Sequence, residues 1–208
     1  MKGEYLSLKN EGFGEYTEKK SVFYGYSAPV ATEEEAISFV KKIKEKHSDA
    51  RHNVYAYMLR ENNAQRFSDD GEPHGTAGLP LLDTLRKPCI TDAVIVVTRY
   101  FGGILLGTGG LVRAYSTAAS EAVKNSQIVT YTLFRKMKIT VSYSDYQKII
   151  YFLDKREIAH TPAIFDANVS LVANILPENW DGIISNLLDT TGGKAIVEDE
   201  GTEYCAKS

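Results

Sequence analysis

The residues best suited to chemistry fall in two dense stretches. The first is Ser68-Asp69-Asp70-Gly71-Glu72-Pro73-His74-Gly75-Thr76-Ala77-Gly78. It places Asp69, Asp70, Glu72 and His74 within six positions. Side chains of these types can move a proton, hold a metal or accept backbone amides. A calcium loop needs oxygen ligands at alternate positions and a closing Glu further on, and that pattern is missing. A zinc site needs more than one local His or Cys. The alternative to catalysis is a tight turn whose aspartates bind amides and cap the element that follows. His52, in Ala50-Arg51-His52-Asn53, can converge with His74 in space. His47 and His160 have no supporting context.

The second stretch is Thr98-Arg99-Tyr100-Phe101-Gly102-Gly103, followed by Leu106-Gly107-Thr108-Gly109-Gly110-Leu111-Val112-Arg113. The apolar run Val94-Ile95-Val96-Val97 feeds into these glycines and a helical pattern leaves them. The first N–H groups of that helix have no partner within it, and its dipole favours an anion there. Arg99 and Arg113 flank the spot with permanent positive charge. The expectation is a phosphate-type or carboxylate-type binding surface built from Arg99, Tyr100, Gly102, Gly103, Gly107, Gly109, Gly110 and Arg113. Turn glycines with no ligand are the competing reading. The run fails the dinucleotide fingerprint at its last glycine, and it is no Walker loop. No Cys–His nucleophile pair stands out, and Ser116 and Ser120 are not on a Gly-x-Ser-x-Gly elbow. No catalytic residue, metal or cofactor is therefore assigned.

The rest of the chain limits the class of partner. The 208 residues are 43% apolar and 25% charged, the balance of a globular protein. The net charge is −3, all of it from residues 135–208. A broad nucleic-acid footprint is therefore not indicated, although a local patch can exist. No apolar run reaches the length of a membrane span. Met1-Lys2-Gly3-Glu4-Tyr5 lacks the apolar core of a signal peptide. With only Cys89 and Cys205, this points to reduced thiols and the cytoplasm.

The elements that must position these residues follow from periodicity. Tyr16–Ala28 reads as one or two short strands. Thr32 and Glu35 form a capping box, and the helix behind them buries Ala36, Val40 and Ile43. A strand near Asn53–Arg60 precedes a polar loop over Glu61–Gly75. A short helix covers Leu79–Leu85, a buried strand Ile90–Thr98, and a helix Gly110–Asn125. Gln127–Phe134 reads as a strand. The pattern then restarts with Met137, Ile139 and Val141 alternating. A second capping box starts at Ser144. Strands near Ile158–Phe165 and Val169–Leu176 flank a turn at Asp166-Ala167-Asn168. A helix from Pro177 ends at Gly192-Gly193, and a last strand begins at Ala195. This order is βαββαβ, the ferredoxin-like arrangement. The boundary is placed at residues 134–136, giving domains 1–134 and 135–208.

Taken together, the two dense stretches, Lys20-Ser21-x-Phe23 and Ala50-x-His52 resemble the IMPACT family in its bacterial YigZ-like branch. The motifs span about residues 16–125. The family more often has Ser at the position of His74, and a Lys is common where Leu105-Leu106 precede Gly107. The resemblance implies an α+β fold, with a domain like domain 2 of ribosomal protein S5 followed by a ferredoxin-like domain similar to one of elongation factor G. It also implies a link to translation, since eukaryotic relatives regulate it by binding a partner of an initiation-factor kinase. Bacteria lack that kinase. A proline dipeptidase label attached to some bacterial members finds no metal-ligand set here. The function expected is a non-enzymatic binding protein that engages RNA, a ribosomal component or a protein partner. The rival is a hydrolase of a phosphorylated or nucleotide-like ligand, using Asp69, Asp70, Glu72 and His74 near Arg99 and Arg113.

Overall fold

A computed structural model describes residues 3–206, so Met1 and Lys2 of the N-terminal segment read above lie outside it. The chain divides into two compact units, one ending at Tyr131 and the other running Thr132–Cys205. The first contains β1 (Glu4–Leu8), β2 (Gly12–Glu18), β3 (Ser21–Pro29), α1 (Glu33–Lys46), β4 (His52–Met58), β5 (Gln65–Ser68), α2 (Gly78–Arg86), β6 (Ala93–Tyr100), α3 (Gly107–Asn125) and the start of β7 (Ile128–Val141). Strands pair antiparallel in the order β2-β3-β6-β4-β5.

Alternation along β6 divides its side chains between two layers. Ile95 and Val97 join Phe23, Val54, Ala56 and the buried faces of α2 and α3 in one core. Val94 and Val96 join Ala36, Phe39, Val40 and Ile43 of α1 in another. The helix α3 lies so close to β3 that a Cβ on Gly25 would overlap the Ala118 carbonyl. At α1, the Thr32 hydroxyl accepts the Glu35 N–H at 3.2 Å, and the Glu35 carboxylate accepts the Ala31 N–H at 2.7 Å.

The second unit runs from Thr132 through the rest of β7, α4 (Tyr143–Lys155), β8 (Ile164–Phe165), β9 (Val169–Ile175), α5 (Trp180–Thr191) and β10 (Ile196–Ala206). Within it β7 pairs with both β10 and β9, and β9 pairs with β8. Met137, Ile139 and Val141 bury one face against Ile149, Leu153, Trp180, Ile183 and Leu187. Gly192 ends α5 in the left-handed region, φ 59°.

Four local expectations change. Part of the 61–75 loop is the edge strand β5, whose exposed residues are held by pairing with β4 rather than by burial. The two strands expected around residue 135 are one continuous strand, β7, because no Gly, Pro, Asn or Asp interrupts it. The helix α4 starts two residues earlier, with Ser142 rather than Ser144 at its N-cap, and Ser142 bonds the Asp145 carboxylate at 3.0 Å. The 158–165 segment forms a ladder only at Ile164–Phe165 and a bridge at His160. Pro162 removes a donor between them.

Candidate functional site

The acidic stretch is a frame built on its own carboxylates. Asp69 is an interrupted cap. Its Oδ2 accepts the Gly75 N–H at 2.9 Å, and its Oδ1 accepts those of Ala77 and Gly78 at 3.1 and 2.8 Å. It thereby closes the start of α2, whose N-cap residue, Ala77, has no side-chain acceptor. Burial pushes the Asp69 carboxyl up, but the three amides outweigh it and hold it below the usual range. Asp70 sits at φ 44° and accepts Asn53 N–H at 2.7 Å and Lys44 Nζ at 2.9 Å. His74 points outward, with its side chain 98% exposed and 3.7 Å from Asp69.

Glu72 turns inward. Its Oε1 accepts Arg99 Nη1 at 2.6 Å and the Tyr115 hydroxyl at 2.8 Å. The Arg99 and Glu72 side chains are only 7% and 4% exposed. Burial and the Glu72 charge raise the Tyr115 phenol far above its ordinary value, so it stays a donor. The triad joins the acidic loop, β6 and α3. Arg99 is therefore a paired, buried charge and not a free surface one. Its Nε–H is buried without a hydrogen-bond partner.

Residues adjacent in the glycine run separate in space. Tyr100 follows Arg99 on β6 and so lies on the opposite, α1-facing side. There Tyr26 O–H donates to His47 Nε2 at 2.8 Å, His47 Nδ1–H to Tyr100 Oη at 3.0 Å, and Tyr100 O–H to Asp49 at 2.7 Å. The bond to Asp49, with burial, pushes the Tyr100 phenol up to about 12. Burial and the Lys46 charge push the His47 ring down. Gly102 is packed so tightly that a Cβ would overlap the Lys20 backbone, and its N–H donates to Ser21 Oγ at 3.1 Å. Gly103 and Gly107 take φ of 82° and 72°. Arg113 is exposed on α3, where its charge acts on Tyr16, and it is not among the residues that line a cleft with Arg99.

What the structure does bring together is a cleft of about 450 Å³. Arg51, His52, Pro73, Phe101, Leu105, Gly107, Thr108 and Leu111 line it, with Glu72 and Arg99. Its upper wall is the glycine loop, where Phe101 is 45% and Leu105 82% exposed. Across it, His52 Nδ1 lies 2.8 Å from the Asp70 carbonyl. A carbonyl only accepts, so Nδ1 carries the proton and Nε2 is the free position of the neutral ring. The first turn of α3 has neither a side-chain cap nor an acidic residue. Sequence reasoning pointed at His52, Glu72, Arg99 and Gly107 here. Phe101, the aromatic that flanks the glycine run, already favoured a binding surface there, whereas Arg51, Leu105 and Thr108 were not assigned, although Arg51 beside His52 was a legible signal. Among the described residues, no group of three or more His, Cys, Asp and Glu side chains is placed to hold a metal ion. No helix of the described residues is long and apolar enough to cross a membrane.

Comparison with known proteins places this site in a family. The model of the Impact N-terminal domain matches residues 19–123, which contain the acidic frame, the loop and all but the last two residues of α3. An IMPACT family member from Bacillus subtilis, YvyE, is 35% identical over 209 residues, covering 100% of this chain and 96% of its own length. A Haemophilus influenzae IMPACT family member is 36% identical, covering 94% of this chain and 96% of its own. Escherichia coli YigZ is 44% identical over 109 residues, about half of each chain. A crystal structure of a hypothetical protein superposes with a TM-score of 0.63 at 29% identity, covering 95% of this chain and 97% of that one. By its N-terminal domain and by full-length relatives alike, this chain belongs to the IMPACT family.

Proposed function

We propose that this chain is a non-enzymatic, translation-linked binding protein of the cytoplasm that takes RNA, alone or within a ribosomal component, on its glycine–arginine face. The observation that carries the reading is the cleft beside the loop 101–106. Phe101 and Leu105 stand out into solvent there, opposite the exposed cation Arg51. Lys19 and Lys20, both exposed, occupy the turn whose backbone packs on Gly102. Apolar and aromatic side chains ringed by cations suit unstacked bases and phosphates. The engagement of Asp69, Asp70 and Glu72 in the frame supports binding over hydrolysis, since none of the three is left as a free acid or base. A protein partner is the second reading, favoured by the near-complete exposure of Leu105.

The same reading assigns residues 1–134 to the type of ribosomal protein S5 domain 2 and residues 135–208 to the ferredoxin-like type seen in elongation factor G. The βαββαβ order and the strand sequence β10-β7-β9-β8 support the second assignment. Fluorescence anisotropy with short single-stranded RNA tests the binding. The proposal expects affinity that falls with salt, and a loss of about 1–3 kcal/mol in Phe101→Ala. RNA affinity that is absent, or unchanged by Phe101→Ala and Arg51→Ala, would refute it.

A further inference from the structure

Gly109 has no internal reason to be glycine. It lies in the first turn of α3, its φ is ordinary, and a Cβ there would meet nothing within 4 Å. Glycine inside a helix weakens it relative to alanine. Gly107 also opens onto empty space, and its φ of 72° keeps a side chain out. The two glycines and the missing cap leave the first amides of α3 uncapped, and the first two residues of that turn, Gly107 and Thr108, line the cleft. The Thr108 hydroxyl belongs to that same turn, and Arg51, which lines the same cleft, makes no ion pair among the described residues. Arg99 also lines the cleft, with a side chain more than nine-tenths buried and an Nε–H that has no hydrogen-bond partner. The helix amides, the Thr108 hydroxyl and the Arg51 fork suit a phosphate, whose three terminal oxygens offer more acceptor sites than the two of a carboxylate.

The opposite wall supplies an acceptor. With Nδ1–H held by the Asp70 carbonyl, His52 presents Nε2 as a lone pair. An anion gains nothing from a lone pair, but a hydroxyl donates to it. Phe101 adds an exposed ring at the rim. The volume of about 450 Å³ suits one small ligand rather than a length of strand. Resting on the RNA-binding reading above, we infer that the cleft is a pocket for a single ribonucleoside phosphate. The phosphate sits on the amides of Gly107–Gly109 with Arg51, the ribose 2′-hydroxyl donates to His52 Nε2, and the base lies against Phe101. The unit can be the phosphorylated end of an RNA or a free nucleotide.

The test is titration of the full chain with AMP, dAMP, inorganic phosphate and a short RNA with and without a 5′-phosphate, read by amide NMR shifts and calorimetry. The inference expects saturable AMP binding with shifts centred on Gly107–Gly109, and dAMP binding several-fold weaker. Gly109→Ala should lower AMP affinity by about tenfold or more while raising Tm, a combination that a purely structural glycine would not give. His52→Asn, which keeps a donor for the Asp70 carbonyl, should erase the preference for AMP over dAMP. Equal AMP and dAMP affinity, or a Gly109→Ala variant that binds AMP unchanged, overturns the inference. If RNA binds but AMP does not, the pocket falls and the RNA-binding reading stands. If AMP binds but no RNA does, the pocket holds for a free nucleotide and the RNA-binding reading falls.

Discussion

Replacing Glu72 with Gln would leave the Arg99 guanidinium buried with no counter-charge and weaken the bond that the Tyr115 hydroxyl donates to residue 72. Removing one member of a buried ion pair costs about 3–5 kcal/mol. Urea unfolding of Glu72→Gln should show a loss of that size, and a loss under about 1 kcal/mol would contradict the buried pair. Asp69 gives a smaller, pH-dependent effect. Its carboxyl is held low by three amides, so it binds a proton less readily folded than unfolded. That stability is present above the unfolded value, near 4, and fades as pH falls through the folded value. Asp69→Asn should cost about 0.5–2 kcal/mol at neutral pH and lose less stability than the native chain between about pH 4 and pH 2. Parallel acid-denaturation curves would contradict this. The role of Asp69 was legible, because Asp-Gly clusters before a helix bind amides. The Glu72–Arg99–Tyr115 triad was not. Its members are 27 and 43 positions apart, and only the folding of α3 over β6 brings them together.

At the level of elements, the sequence reveals what short-range rules govern. The Thr32 and Glu35 box opens α1, the apolar face of α3 is buried where periodicity puts it, and Gly192 closes α5. Edge strands escape because pairing, not hydrophobicity, makes them, and β5 shows this in Gln65-Arg66-Phe67-Ser68. The His47 chain to Tyr26, Tyr100 and Asp49 was invisible for the same reason, since it links α1 with two strands. Gly102 is where the loop depends most on a missing side chain. Gly102→Ala would force its Cβ into the Lys20 backbone and strain the β2–β3 turn against the loop. Overpacking of this kind costs about 1–3 kcal/mol. Thermal unfolding of that variant should show it together with weaker RNA binding, whereas native stability would contradict the close approach.

For the whole molecule, each unit carries its own apolar core, from Leu8 to Val123 in the first and Met137 to Ala195 in the second. A fragment ending at Phe134 should therefore unfold cooperatively by itself, and a broad, featureless melt would count against a boundary there. The measurement that reaches the central claim is a pull-down from native lysate with the intact chain and with an Arg51→Ala, Phe101→Ala, Leu105→Ser triple variant, each with and without nuclease. RNA and ribosomal proteins should be recovered by the native chain, reduced by nuclease and lost in the variant. Equal recovery by the native chain and the variant, or no enrichment of RNA or ribosomal proteins by either, would contradict the claim that the glycine–arginine face is the binding surface.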